Sequence, residues 1–319
     1  MAQPPKEIIV RHGSRMANRM LQYLVAKEFQ RKFPEYTVCG YDIPEWGLKG
    51  ARPAPGRRQI PKIEIQRFDT PLIETAMAEG RLDRLMLKSV CGNMEALPSR
   101  AFANSLFDAS HVEAFETGED DIVMHVRLED ILVPGRHKNY GPLPIGFYKQ
   151  VVEASGKRPV FVGQMGSDWY SDMLRAAFPD ALFLEGGSVL HDFETIRRAK
   201  HIILAISTFS WMAAWLSEAT TIHYPLSGLF HPLQVPGVDM MPLKDPRYAF
   251  YLFPERAWLA SPAQQEDLRA PFTAEALSAE AAEALQAQSA QAWAPQLDAW
   301  RSAFTTEIAR GTGAAAAAE

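Results

Sequence analysis

Residues 192–216 read DFETIRRAKHIILAISTFSWMAAWL. The spacing predicts a helix over 192–200, opened by Asp192 as its cap with Glu194 in the first turn. A buried strand follows over His201–Ile206, then a hydroxyl-rich turn of Ser207, Thr208 and Ser210, then a second helix over 211–219. A strand that feeds hydroxyls into the first turn of a helix builds an anion site. The unpaired N–H groups and the positive end of the helix dipole face one point. The plainer alternative is that Ser207 or Ser210 only caps the helix.

Working outward, the same rhythm runs through the second half of the chain. Strands are expected at 121–128, 159–163, 181–184 and 220–224, with helices at 146–155 and 167–178 between them. That alternation predicts an α/β fold with a doubly wound parallel sheet. Ligands on such sheets bind beyond the carboxyl ends of the strands, which here are Arg127 and Ser207. The first half is less regular. A short strand at 7–10, a helix over 17–33 with Met20, Leu21, Leu24, Val25 and Phe29 on one stripe, a strand-like 36–43, a loop at 46–61 and a helix over 71–90 suggest a second α/β domain. The acidic stretch Glu116–Asp121 marks the boundary, giving domains 1–118 and 119–319. After Pro225 the chain is Pro-rich and irregular until a helix over 274–308, and the tail GTGAAAAAE is low-complexity.

Composition narrows the function classes. Of 319 residues, 47% are hydrophobic and 22% charged, as in a globular protein. A net charge of −5 argues against a nucleic-acid partner. Cys39 and Cys91 have neither metal spacing nor a disulfide pattern. No apolar run is long enough for an integral membrane segment, and MAQPPKEIIV lacks the apolar core of a signal peptide. A cytoplasmic protein, or one peripheral at the inner face of a membrane, is the expectation. The basic loop Lys49–Arg58 is either a surface for an acidic acceptor or membrane, or a solvated loop.

Two further sites carry chemistry. His125-Val126-Arg127 ends a strand, and Leu128, Glu129 and Asp130 follow. An Arg there can clamp a diphosphate bidentately, or it can simply pair with Glu129 or Asp130. The first strand–helix junction, Arg11-His12-Gly13-Ser14-Arg15-Met16-Ala17-Asn18, is a second basic anion site, or a pair of caps with solvated arginines. Neither a dinucleotide fingerprint nor a Walker motif occurs. Trp211 and Trp215, four apart on a helix, read as core packing.

Three segments together resemble the α-1,2-fucosyltransferases and the wider fucosyltransferase superfamily. The family's G-R/G-L-G-N-Q-M-F-Q-Y is similar to Ser14–Tyr23, its H-x-R-R-x-D to His125–Asp130, and its D-F-E-L-M-x-x-C-K-H-N-I-I-S-N-S-T-F-S-W-W-G-A-W-L to 192–216 without a gap. The resemblance covers most of residues 5–225. It implies a GT-B-like fold of two Rossmann-like domains facing a cleft, the first on the acceptor side and the second binding the nucleotide sugar. It implies inverting, metal-independent transfer of fucose from GDP-fucose to a glycan or glycolipid hydroxyl, with no cofactor. Arg127 would hold the β-phosphate. His125 and Asp192 would lie near guanine, Ser207, Thr208, Phe209 and Ser210 would line the phosphate and ribose pocket, and Arg15 and Asn18 would reach the donor from the first domain. Candidates for the base are Glu129, Asp130 and His12, then Asp69. Leu128, Ile206 and Met212 depart from the family pattern, as do Ser14 and Ala17, and Gly163-Gln164-Met165 stands where the family has an acidic S-D-D segment. Another GDP-sugar is an alternative donor.

Two other classes compete. Ile8–Gly13 looks like the strand and R-H-G opening of histidine phosphatases, whose His is a nucleophile. That family needs a second His followed by Gly, and none of His137, His191, His201, His223 or His231 is so followed. A GT-B protein that binds nucleotide without catalysis is the other, since the family's second Arg is missing at position 128.

Overall fold

The computed structural model describes residues 5–11, 13–55 and 60–316. His12, the candidate nucleophile and base, lies outside the described residues, as do 56–58 of the basic loop and the last three residues of the tail. The chain forms two compact units.

The first unit holds β1 (Glu7–Val10), α1 (Met16–Lys32), β2 (Thr37–Cys39), β3 (Asp42–Ile43), β4 (Leu48–Lys49), β5 (Lys62–Ile63), α2 (Thr70–Ala78), β6 (Arg84–Leu87) and α3 (Arg100–Ser105). Its main sheet runs β2-β1-β6-β5, all parallel, and β3 and β4 pair antiparallel beside it in sequence. Ile8, Ile9 and Val10 are all buried, as a strand covered on both faces requires. The expected stripe of α1 is buried from Met20 to Phe29. The helix expected over 71–90 is instead α2 and β6. Gly80, at φ +67°, turns the chain out of the helix, and Leu85 and Leu87 then enter the core.

The second unit holds β7 (Asp121–Val126), α4 (Ile145–Ser155), β8 (Arg158–Gly163), α5 (Trp169–Ala177), β9 (Leu182–Leu184), α6 (Val189–Arg198), β10 (His201–Ile203), α7 (Thr208–Leu216), β11 (Thr221–Leu226), β12 (Tyr248–Leu252), α8 (Pro262–Asp267), β13 (Glu275–Ala276) and the start of α9 (Ala279–Ala316). The sheet order is β13-β12-β11-β10-β7-β8-β9, parallel except for β13 at the edge. From β7 the chain winds outward through β8 and β9. It then crosses back through α6 to β10 on the other side of β7. The order therefore reverses between β7 and β10, which makes this the topological switch point where Rossmann-like sheets bind ligands. The expected α/β class, with two Rossmann-like units on parallel sheets, is what the structure has.

The division falls after Phe107 rather than at 118/119. Residues 109–115 are tied to the second unit by α6. Arg198 donates to the carbonyls of Ala109 and Val112 at 3.0 and 2.9 Å, and the Phe115 N–H donates to Thr195 Oγ1 at 3.0 Å. Residues 237–240 and 290–319 also belong to the first unit rather than the second. There the Trp293 indole donates to the Arg67 carbonyl, Arg301 pairs with Asp69 at 2.7 Å, and Trp300 packs on Phe68.

Candidate functional site

Two strand ends meet at the switch point. β7 is buried along its whole length and delivers His125 and then Arg127. β10 leads through Ala205 and Ile206 to Ser207 and α7. Ser207 is the cap of α7, its Oγ accepting from the Phe209 N–H at 3.2 Å, as the plainer sequence alternative had it. Ser210 is fully buried, and its hydroxyl donates to the carbonyls of Ala205 and Ser207. That bonding leaves the backbone of the turn and the half-buried Thr208 and Phe209 as the part of the segment that faces outward. Trp211 and Trp215 stack at 5.7 Å inside the core, as expected.

Phe209 links the two strand ends. Its ring lies 5.1 Å from that of His125 and meets Phe193 edge-on at 5.4 Å. His125 Nδ1 is buried with no hydrogen-bond partner among the described residues. Burial, and then the charge of Arg127, push the imidazole down to about 3, so it is neutral at pH 7. Gly163 makes room for this ring. A Cβ there would stand 2.5 Å from the Val126 carbonyl and 2.8 Å from His125 Cδ2, with φ at +115°.

Arg127 is held from two sides. Its guanidinium lies 4.3 Å from the centre of the Tyr140 ring, and it pairs with Asp130 at 3.3 Å. Asp130 also faces His137 Nε2 at 3.1 Å. The pairing that sequence offered as the plainer role of Arg127 is thus present, yet the Arg127 Nε remains buried without a partner among the described residues. Glu129 is exposed and sits at φ +53°, the left-handed region that costs a side-chain-bearing residue about 1 kcal/mol or more. Gln164 closes the turn, accepting from the Leu128 N–H at 2.9 Å.

Asp192 lies in the first turn of α6, but the cap is Ser188, which accepts from the His191 N–H at 3.1 Å. The helix therefore starts earlier than expected, and the Asp192 carboxylate is not committed to capping. Burial raises it above the usual carboxylate range, against the opposing pull of His191 at 3.5 Å. Gly187 leaves it space, since a Cβ there would meet Asp192 Oδ1 at 2.4 Å. At the start of α6 opens a cavity of about 830 Å³ lined in part by His111, Phe115, Phe183, Ser188 and His191, with Asp192 next along the helix from its wall. That is within the range of small-molecule sites.

Arg15 and Asn18 stand at the carboxyl end of β1 in the first unit, Arg15 exposed and Asn18 half-buried. Asp69 caps α2 and pairs with Arg301. Burial pushes the thiols of Cys39 and Cys91 up to about 11 and 12, so neither is a reactive thiolate. Among the described residues no group of three His, Cys, Asp or Glu could hold a metal ion. No described helix is long and apolar enough to cross a membrane. Motif reading missed Tyr140 and Gly187. Tyr140 lies in no motif, and nothing in its neighbourhood marks it. Gly187 was signalled by the Gly186-Gly187-Ser188 turn before α6.

Residues 111–226 match the family model described as Glycosyl transferase family 11. The match spans β7 to β11, and so both strand ends of the switch point. A solved structure of a point mutant of Arabidopsis thaliana FUT1 in complex with GDP is 11% identical, with a TM-score of 0.40, over 69% of this chain and 71% of that one. No curated protein matches the chain. The segment that builds the site is thus similar to a glycosyltransferase.

Proposed function

We propose that the protein is a glycosyltransferase that takes a GDP-sugar, GDP-fucose first among them, and transfers the sugar with inversion to a hydroxyl of a glycan or glycolipid. The observation that carries this reading is the convergence of Arg127 and the start of α7 on one switch point, within the stretch that matches family 11. A departing diphosphate needs positive charge where its own charge develops. Arg127 supplies a guanidinium already oriented by Tyr140, and the α7 terminus supplies N–H groups and a dipole end. No step then requires a metal. The neutral His125 brings to the same place a ring nitrogen, Nδ1, that is unpaired among the described residues.

The cavity beside α6 is the nucleoside end. Asp192, held in a part-buried environment, is suited to accept from the N1–H and exocyclic amine of guanine, a pair of donors that uracil lacks. Glu129, exposed and two residues after Arg127, is the carboxylate we assign to deprotonating the incoming hydroxyl, with Asp130, which pairs with the Arg127 guanidinium, as the other candidate. Arg15 and Asn18, beyond the carboxyl end of β1, are assigned to binding an anionic group. A nucleotide-binding protein without catalysis is the second reading, favoured by Leu128 and by the Asp130 contact that already neutralises Arg127.

Calorimetry without added divalent cation is expected to show GDP bound at least about tenfold more tightly than UDP. Equal affinities would remove the role of Asp192. Arg127→Ala is expected to lower transfer from GDP-fucose at least ~100-fold while the protein remains folded by circular dichroism. Unchanged turnover would overturn the assignment of Arg127. Wild-type protein that binds GDP but neither hydrolyses nor transfers from any GDP-sugar would favour the second reading.

A further inference from the structure

A second cavity lies in the same unit, beyond the carboxyl ends of β11 and β12. It encloses about 160 Å³, roughly the room of five water molecules. That is too small for a nucleotide and below the range of drug-sized sites. Its walls combine the rings of Tyr140, Phe253, Trp258 and Phe272 with the polar groups of Ser227 and Arg256. Three of these rings are fixed by packing. Trp258 donates its indole N–H to the Ile131 carbonyl at 2.7 Å, and Phe253 stacks on Phe272 at 5.0 Å. The backbone is fixed as well. The Leu229 N–H donates to the Asn139 carbonyl at 2.7 Å, and Gly228, at φ +53°, approaches so closely that a Cβ would lie 2.5 Å from that oxygen. At the rim Arg256 pairs with Asp267 at 2.6 Å, and both side chains are about half exposed.

Rigid aromatic walls with a few polar groups at the edge suit a ligand that has C–H faces and a girdle of hydroxyls. A pyranose ring has that chemistry. Its faces pack on aromatic rings while its hydroxyls reach charged groups at the rim. Tyr140 belongs to both sites, since it lines this cavity and carries the Arg127 guanidinium. We propose that this cavity binds one pyranose ring beside the diphosphate clamp. The proposal rests on the glycosyltransferase reading. The ring belongs either to the sugar nucleotide or to the acceptor glycan.

Saturation-transfer NMR on the full chain, with methyl fucoside and methyl galactoside as probes and GDP present, tests it. Transfer to at least one probe is expected in the wild type. It should disappear in Ser227→Trp, which fills the cavity. Arg256→Ala, at a half-exposed position where folding is not at stake, should weaken it about tenfold by removing one charged hydrogen-bond donor. Absence of transfer to both probes, or equal transfer in all three proteins, would overturn the proposal. Calorimetry of GDP and GDP-fucose on the same samples separates the two sources. Loss of the affinity difference between GDP-fucose and GDP in Ser227→Trp identifies the donor sugar, and a retained difference with lost methyl-glycoside transfer identifies the acceptor. Failure of GDP to bind while glycoside transfer persists would sink the nucleotide reading and leave the sugar cavity standing.

Discussion

His125 and Glu129 are both costly to the free protein, in different ways. An ordinary histidine takes up its proton near pH 6.5, whereas buried His125 resists protonation until about pH 3. The unfolded chain therefore binds a proton that the folded chain excludes throughout that interval. Its contribution is intact above pH 6.5 and is lost as pH falls through the window, at about 1.4 kcal/mol per pH unit. His223, pushed to about 4 by burial and by His201, acts in the same direction. His201 and His231 are lowered by burial too, so denaturant unfolding between pH 6.5 and 5 should show stability falling with acid, and His125→Gln should make that slope shallower. An unchanged slope would mean that folding does not hold this ring neutral. Glu129 pays in backbone conformation instead. Glu129→Gly relieves the left-handed strain and should leave the unfolding free energy unchanged or raise it by up to ~1 kcal/mol. The same variant should lose transfer activity. A destabilised Glu129→Gly protein, or a fully active one, would contradict this account.

At the scale of elements, α6 does two jobs. It presents Asp192 at its first turn, and from its last turns it holds residues 109–115 against the second unit. Arg198 is the tether, bonded to two carbonyls and to the wholly buried Glu194. Arg198→Ala should speed amide exchange over 109–115, by an opening made about 1 kcal/mol easier, since the side chain is half exposed. Slower or unchanged exchange there would dismiss the tether. These elements also show what sequence could and could not reveal. The strands of the second unit were legible because Ile122–Val126, Val160–Val162 and Ile202–Ile203 are short apolar runs separated by amphipathic helices. The start of α6 was not. Asp192 looked like a cap because an acidic residue preceded an apolar pattern, while Ser188, three residues before the next N–H it serves, lay among glycines that read as loop. β6 was hidden because Leu82, Leu85 and Leu87 keep up the apolar pattern of α2, so that Gly80 was read through although it ends the helix. The switch point itself was only half legible. His125, Arg127 and Ser207 were visible as strand-end residues, but Tyr140 comes into the site through a loop that no periodicity describes.

The whole molecule is arranged so that its last helix completes its first unit. Residues 290–319 supply Trp293, Trp300 and Arg301 to surfaces built from residues 67–69, and everything between 108 and 236 belongs to the second unit. A chain ending at 289 should therefore keep the second unit protected from protease and still bind GDP, while its first 107 residues are cut rapidly. Equal resistance of both parts would show that the returning helix is dispensable.

This arrangement has a consequence for how the protein is made. On a ribosome the amino-terminal segment emerges first, and domains usually fold in the order of their appearance. Here the earlier segment must wait, with Phe68 and its neighbours uncovered, until Trp293 and Trp300 have been made. The later segment can close meanwhile. The second unit would thus mature before the segment that emerged ahead of it, and the unfinished segment is where a growing chain would most need a chaperone.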